Sequence, residues 1–219
     1  MPTPITFYFG SGSPYAWKVW LALEHKKLPY EARRVHFDSG ELKSAAFLAL
    51  NPRGQVPTLV DDGFAMYESA AMIEYLEDRY PDSGAPLWPR DVTARALARR
   101  RAAEALSHMG PVNNILFGAL FGSGEPAESA IQIAKGKQML AAELAVIESS
   151  LEKDFLAGDQ LSAADFTLYP YLAFLGRADS RKPGHDLLAM VSPKTAAWMK
   201  RIEALPYFAN TYPPHWKES

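Results

Sequence analysis

The residues best suited to chemistry in this 219-residue chain lie in two stretches, 11–13 and 55–69. In Gln55-Val56-Pro57-Thr58-Leu59-Val60 a proline sits near the start of a run that otherwise reads as a strand. Proline has no N–H to give a ladder, so the backbone there is free to pair with an extended peptide ligand. Glu68 and Ser69 follow at the start of a helical pattern, and a helix N-terminus favours a carboxylate. A free backbone edge beside a carboxylate site fits a small peptide ligand; it also fits an ordinary hairpin packed on a helix. Ser13-Pro14 has the same double reading. Serine before a proline at the first helical position is a helix cap. A hydroxyl in that place can also donate to a bound anion, which the helix dipole favours.

The elements that must position these residues follow from local signals. Ile5-Thr6-Phe7-Tyr8-Phe9 is a short apolar strand, and Pro14 opens a helix with Ala16, Val19, Trp20 and Leu23 on one face. Residues 30–37 alternate as a second strand, and 42–50 form a short helix. Asn51-Pro52-Arg53-Gly54 is a turn, and Asp61-Asp62-Gly63 is a hairpin signal between a strand at 55–60 and a return strand at 64–67. Ser69 caps a helix carrying Met72, Ile73 and Leu76, which Pro81 ends. The order is β-α-β-α-β-β-α, a mixed α/β unit over residues 1–81. Residues 82–91 hold Gly84, Pro86 and Pro89 and read as a linker.

Residues 92–219 carry no convincing strand. A helix is expected over 94–109, interrupted at Gly110-Pro111 and resuming over 112–121. A long amphipathic helix is expected over 127–156. Ser162-Ala163-Ala164-Asp165 reads as a cap with a reciprocal acid, opening a helix over 166–175. A last helix spans 193–205, and the tail from Tyr207 is aromatic and proline-rich. Met109, Asn113, Phe117 and Phe121 form an aromatic-apolar stripe that suits either core or an apolar ligand.

Several motifs in order carry a resemblance. Asn-Pro-x-Gly-x-Val-Pro-x-Leu from Asn51, the acidic hairpin turn, and Glu68-Ser69 leading to Tyr75-Leu76 resemble the glutathione-binding half of the cytosolic glutathione transferases. Gly40-Glu41-Leu42-Lys43-Ser44 and Phe47-Leu48-Ala49-Leu50 resemble the phi class, and Ser162-x-Ala-Asp165 is similar to the family's core helix in the second domain. The resemblance implies a thioredoxin-like domain with its proline cis at Pro57, followed by an all-helical domain. It implies transfer of the glutathione thiolate to an electrophilic apolar compound, with glutathione as co-substrate rather than cofactor, and a homodimer.

It also implies roles. Ser69 and its helix N-terminus would take the γ-glutamyl carboxylate, and Glu68 would balance the ammonium. Gln55, Val56 and Pro57 would hold the cysteinyl part, and Lys43 the glycine carboxylate. The phi pattern has His-Lys where this chain has Leu42-Lys43, which removes a donor. Serine-type members carry the catalytic Ser six residues before a Val in an Arg-Val pair. Here Lys18-Val19 takes that place and points to Ser13. Lowering a thiol by two pH units needs about 2.7 kcal/mol. A hydrogen bond to an anion supplies roughly 1.5–3 kcal/mol. Ser11, two residues earlier, and Tyr8, at the end of the first strand, are the rivals. Gap-free alignment puts Phe7 rather than Tyr8 at the tyrosine-type position. Met109, Asn113, Phe117 and Phe121 would line the electrophile site. Glutathione-dependent isomerisation or dehalogenation is an alternative, though the zeta-class Ser-Ser-Cys run is missing. A non-catalytic binder of apolar ligands is another.

Composition bounds the rest. With 48% hydrophobic and 22% charged residues the chain has globular composition, and a net charge of −2 gives no basic field for nucleic acid or an anionic membrane. There is no cysteine, which excludes disulfides, thiolate metal sites and a cysteine nucleophile. The five histidines, His25, His36, His108, His185 and His215, show no metal-ligand spacing. No signal peptide or transmembrane run is read, so the expected location is cytoplasmic.

Overall fold

A computed structural model describes residues 4–217. The chain divides into two compact units, Met1–Trp88 with Pro206–Ser219 and Pro89–Leu205. The first was expected to end before the linker. It also takes in the C-terminal tail, which the sequence reading had grouped with the helices.

The first unit is a four-stranded sheet in the order β2-β1-β3-β4. Strand β1 (Ile5–Phe9) pairs parallel with β2 (Tyr30–Arg34) and antiparallel with β3 (Thr58–Asp61), which pairs antiparallel with β4 (Phe64–Met66). Alternation along β1 buries Phe7 and Phe9 against Trp20 of α1 (Pro14–His25). Tyr8 points to the other face and meets Phe47 of α2 (Ala45–Leu50) edge-on. Helix α3 (Ser69–Arg79) packs on α1 through Met72, Ile73 and Leu76.

Three local expectations shift. Strand β3 begins at Thr58 rather than residue 55, because Pro57 has no N–H to donate. The helix expected over 42–50 is a 3₁₀ turn at Glu41–Lys43 followed by α2, because Ser44 leaves the helical backbone to cap Phe47. Ser69 is the first helical residue, not the cap. Glu68 holds the cap position at φ +70° and gives no side-chain cap.

The second unit is helical: α4 (Val92–Glu104), α5 (Gly110–Phe121), α6 (Pro126–Ser150), α7 (Ala163–Arg181) and α8 (Pro193–Glu203). Gly110-Pro111 does not interrupt the chain of α4 and α5. A π turn at Ala105–Met109 joins them, and its wider ring takes up the missing proline N–H. Helix α6 stops at Ser150, short of the expected 156. Asp165 accepts from the Leu156 N–H at 3.0 Å, which draws that segment off the helix axis. The capping box at Ser162 and Asp165 forms as expected.

In the first unit the tail returns as α9 (Phe208–Thr211) and α10 (Pro214–Lys217). It is fixed to α1 by Trp17 Nε1 donating to Thr211 Oγ1 at 3.0 Å, and by Asn210 Nδ2 donating to Glu24 at 3.0 Å.

Candidate functional site

The sheet register gathers the sequence-distant candidates at one end. Tyr8 of β1 faces Thr58 of β3, and each step toward the turn adds one residue on β1 and removes one on β3. The ladder ends at the Tyr8–Thr58 pair, so Gly10 and Val56 lie just beyond the same end of the sheet. Leu59 faces Met66, where β4 ends, so the chain leaves for α3 from that end too. The turn before α1, the run around Pro57 and the start of α3 therefore share one edge of the unit.

That edge offers unspent backbone. Val56–Pro57 is cis. Neither backbone group of Val56 has a hydrogen-bond partner among the described residues. Gln55 is exposed, and its carbonyl accepts from Asn51 Nδ2 at 2.8 Å and Thr58 Oγ1 at 3.0 Å. Asn51 is buried and also accepts from the Arg53 N–H at 3.0 Å, so it fixes the turn that presents Gln55 and Val56. Sequence reading treated Asn51 only as a turn residue. Its signal is the Asx pattern, a side chain bonding the backbone two residues on.

Gly54 has φ +60°, and a Cβ there would lie 2.8 Å from the Leu42 carbonyl oxygen. This close approach sets the Glu41–Lys43 turn, with exposed Lys43, against the Asn51–Gly54 turn. At α3 the N–H groups of the first turn receive no side-chain cap, which leaves them for an anion. Ser69 is buried, while the Glu68 carboxylate is exposed and 3.6 Å from Arg53. Both partners of that pair are about two-thirds exposed, so it contributes little stability. The positive φ of Glu68 is a backbone conformation that a residue with a side chain rarely adopts.

The three candidate hydroxyls stand in different hydrogen-bond situations. Ser13 caps α1, accepting from the Ala16 N–H at 3.3 Å, and its own hydrogen has no acceptor among the described residues. Ser11 Oγ lies 2.6 Å from His215 Nδ1 of the tail. Tyr8 accepts from Arg33 at 3.4 Å on the opposite face of the sheet from α1. His215 was read only as lacking metal-ligand spacing. Nothing local in the sequence links it to Ser11, 204 positions away.

Beneath the turn, Lys18 is buried with no hydrogen bond or ion pair among the described residues. Burial lowers its amine to about 8, and the Glu68 carboxylate works in the other direction.

The stripe expected to line the electrophile site divides within the helical unit. Met109 and Asn113 are buried, with Asn113 Nδ2 donating to the Tyr171 carbonyl at 3.1 Å. Phe117 and Phe121 are exposed and form a cluster with Phe174, ring centroids 5.4 to 6.3 Å apart. Residues four apart drift about 40° per step around a helix, so a stripe of four cannot stay on one face. Met109 instead lines a small cavity of about 30 Å³ with Arg101, Glu104, Glu143 and Ile147.

Comparison with known proteins agrees with this geometry. Residues 12–79 match the model of the glutathione S-transferase N-terminal domain, and 130–201 that of its C-terminal domain. Glutathione S-transferase A of Pleuronectes platessa is 30% identical over 100% of this chain and 96% of its own. Maleylacetoacetate isomerase of Dictyostelium discoideum is 30% identical over 89% and 90%. The crystal structure of a glutathione S-transferase from the Antarctic clam Laternula elliptica superposes with a TM-score of 0.82 at 31% identity, covering 99% of this chain and 95% of that one. Both domain models and relatives that are similar over nearly the whole length place the fold described above: the chain belongs to the glutathione S-transferase family.

Proposed function

We propose that this protein binds glutathione along the Val56 edge and transfers its thiolate to a small apolar electrophile, with Ser13 as the thiolate donor. The observation that carries this reading is the unpaired Val56 backbone at the same end of the sheet from which the chain enters the uncapped start of α3. An extended peptide would pair with Val56 as an added strand, while its carboxylate takes the α3 amides and Ser69. Glu68 would hold the ammonium, and Gln55 and Lys43 the remainder of the peptide.

Ser13 has a hydroxyl hydrogen to give and sits at the positive end of α1. Both favour the charged form of a bound thiol. Catalysis here is positioning plus pKa lowering, and no covalent intermediate on the protein is needed. The Phe117, Phe121 and Phe174 cluster supports an apolar second substrate. Isomerisation is the second reading, favoured by the similarity to maleylacetoacetate isomerase, although Ser11-Gly12-Ser13 stands where a Ser-Ser-Cys run is expected. We place the enzyme in the cytoplasm as a homodimer, a state that sedimentation of the pure protein would check.

The test is binding followed by turnover. Glutathione at about 100 times its Kd should stabilise the fold by about 2.7 kcal/mol and raise Tm. An aryl halide should then be conjugated at a rate that depends on Ser13. A folded protein whose Tm ignores millimolar glutathione would overturn the reading. Glutathione-dependent isomerisation of a cis-alkene diacid without aryl halide conjugation would select the second.

A further inference from the structure

We propose that α10 is a clamp on the Gly10–Ser13 turn, and that His215 is a positioning residue for the Ser13 hydroxyl. The proposal rests on the reading of Ser13 as thiolate donor.

The turn is closed by the Ser13 N–H donating to the Gly10 carbonyl at 3.1 Å, which makes Ser11 and Gly12 its two central residues. Gly12 has φ +81°, the conformation that a turn of this kind demands at its third position. The tail holds both central residues. His215 Nδ1 lies 2.6 Å from Ser11 Oγ, and the His215 backbone N–H donates to the same oxygen at 3.5 Å. The Ser11 hydroxyl is thus engaged by both the ring and the backbone of His215. At Gly12 a Cβ would lie 2.8 Å from His215 Cε1 and 3.1 Å from Trp216 Nε1, so the tail is packed directly against bare backbone.

The clamp itself is anchored. Trp216 meets Trp17 edge-on at 5.4 Å and Tyr212 at 5.9 Å, and Tyr212 meets Trp17 at 5.9 Å. Trp17 is in turn bonded to Thr211. Trp17 stands one turn into the helix that Ser13 caps. The tail therefore grips the reactive turn and the helix behind it as one body.

Two consequences follow for chemistry. A hydroxyl stabilises an anion only when its O–H direction is fixed, and the backbone of Ser13 is set by the turn that Ser11 and Gly12 define. Loosening Ser11 lets the turn sample other settings and misaims Ser13. The clamp also ties the Ser11 oxygen to the tail, which holds the neighbouring serine away from the role given to Ser13.

The test compares His215→Ala, His215→Asn, Ser11→Ala and the Ser11→Ala/His215→Ala double variant in the full chain. Asn reaches the Nδ1 position with an acceptor oxygen. Loss of the grip should lower kcat roughly five- to twentyfold and leave the glutathione KM within about twofold. The bound thiolate, followed by ultraviolet absorbance, should titrate at higher pH. Hydrogen exchange at the Ser13 amide should quicken. His215→Asn should recover most of the wild-type rate, and the double variant should be no worse than either single one.

Wild-type kcat and thiolate titration in His215→Ala overturn the proposal. So do additive losses in the double variant. Should His215→Ala fail to fold, His215→Asn and Ser11→Ala decide: the proposal requires the first to be active and the second impaired. A wild type that binds glutathione without forming thiolate overturns the Ser13 reading instead. The Ser13 amide then decides the clamp alone, with faster exchange in His215→Ala supporting it and unchanged exchange overturning it.

Discussion

Ser11 and Ser13 differ in their hydroxyl partners, the first bonded to His215 and the second accepting from the Ala16 N–H, and that difference makes a sharp expectation. Ser13→Ala should cut turnover ten- to a hundredfold, since a hydrogen bond to an anion is worth roughly 1.5–3 kcal/mol. Glutathione affinity should barely change, and the thiolate should titrate at higher pH because its charged form has lost a donor. Ser11→Ala should be milder and Tyr8→Phe milder still. A dead Tyr8→Phe beside active serine variants would mark a tyrosine-type enzyme. Glu68→Ala keeps the strained backbone but removes the carboxylate, so glutathione should bind several-fold more weakly with thiolate acidity unchanged at saturation. Lys18 sets a pH dependence. Its amine ionises at about 8 in the fold and near 10.5 in the unfolded chain. Between those values the unfolded state binds more protons, so stability rises with pH through that window. Below about 8 both states are charged, and the fold carries a penalty of about 3 kcal/mol. Lys18→Met should therefore stabilise the protein at pH 7 by up to that amount. Equal urea midpoints for the two proteins at pH 7 would show that the amine is better solvated than its burial implies.

Among the elements, the Ser162 cap is the most heavily bonded. Asp165 accepts from the Ser162 N–H, the Ser162 hydroxyl, the Leu156 N–H and the Trp198 indole, all within 3.1 Å. Burial pushes its carboxyl up from the usual carboxylate range, while the four donors pull the other way. Asp165→Ala leaves those donors unsatisfied in the interior, at an expected cost of about 3 kcal/mol or more. Equilibrium urea unfolding measures it, and a change below about 0.5 kcal/mol would show that water replaces the carboxylate. The same cap shows what was legible in the sequence. Ser162 and Asp165 act across three residues, as do Asp61-Asp62-Gly63 and Ser13-Pro14, so their signals are local and complete. The start of β3 at Thr58 is local too, but its cause is a missing donor rather than a residue that prefers a turn. The π turn before Pro111 was not legible, because Gly-Pro reads as a break unless the preceding turn widens to receive it. At the site, the Val56 edge and Glu68-Ser69 were readable as strings, yet only the pairing of β3 with β4 brings both to one end of the sheet. His215 was not readable at all, since its partner lies at the other end of the chain.

For the whole molecule the controlling fact is that the chain begins and ends in one unit. A chain stopped at Leu205 loses the Thr211 bond to Trp17 and the rings of Phe208, Tyr212 and Trp216 around it. Its unfolding free energy should fall by several kcal/mol, on the order of 3 or more. Tryptophan emission should shift to the red as Trp17 meets water, and unchanged emission would mean that α1 finds other cover. The return of the tail also imposes a schedule on biosynthesis. Trp17 leaves the ribosome well before its cover and lacks the Thr211 bond until that residue follows it 194 positions later. By then the whole helical unit has been made and can fold on its own contacts. A nascent chain can thus assemble its sheet early while the turn bearing Ser13 still lacks its grip. On the reading of Ser13 proposed above, thiol activation would be weaker until the tail has docked, and products clipped before Thr211 would turn over more slowly even where they fold.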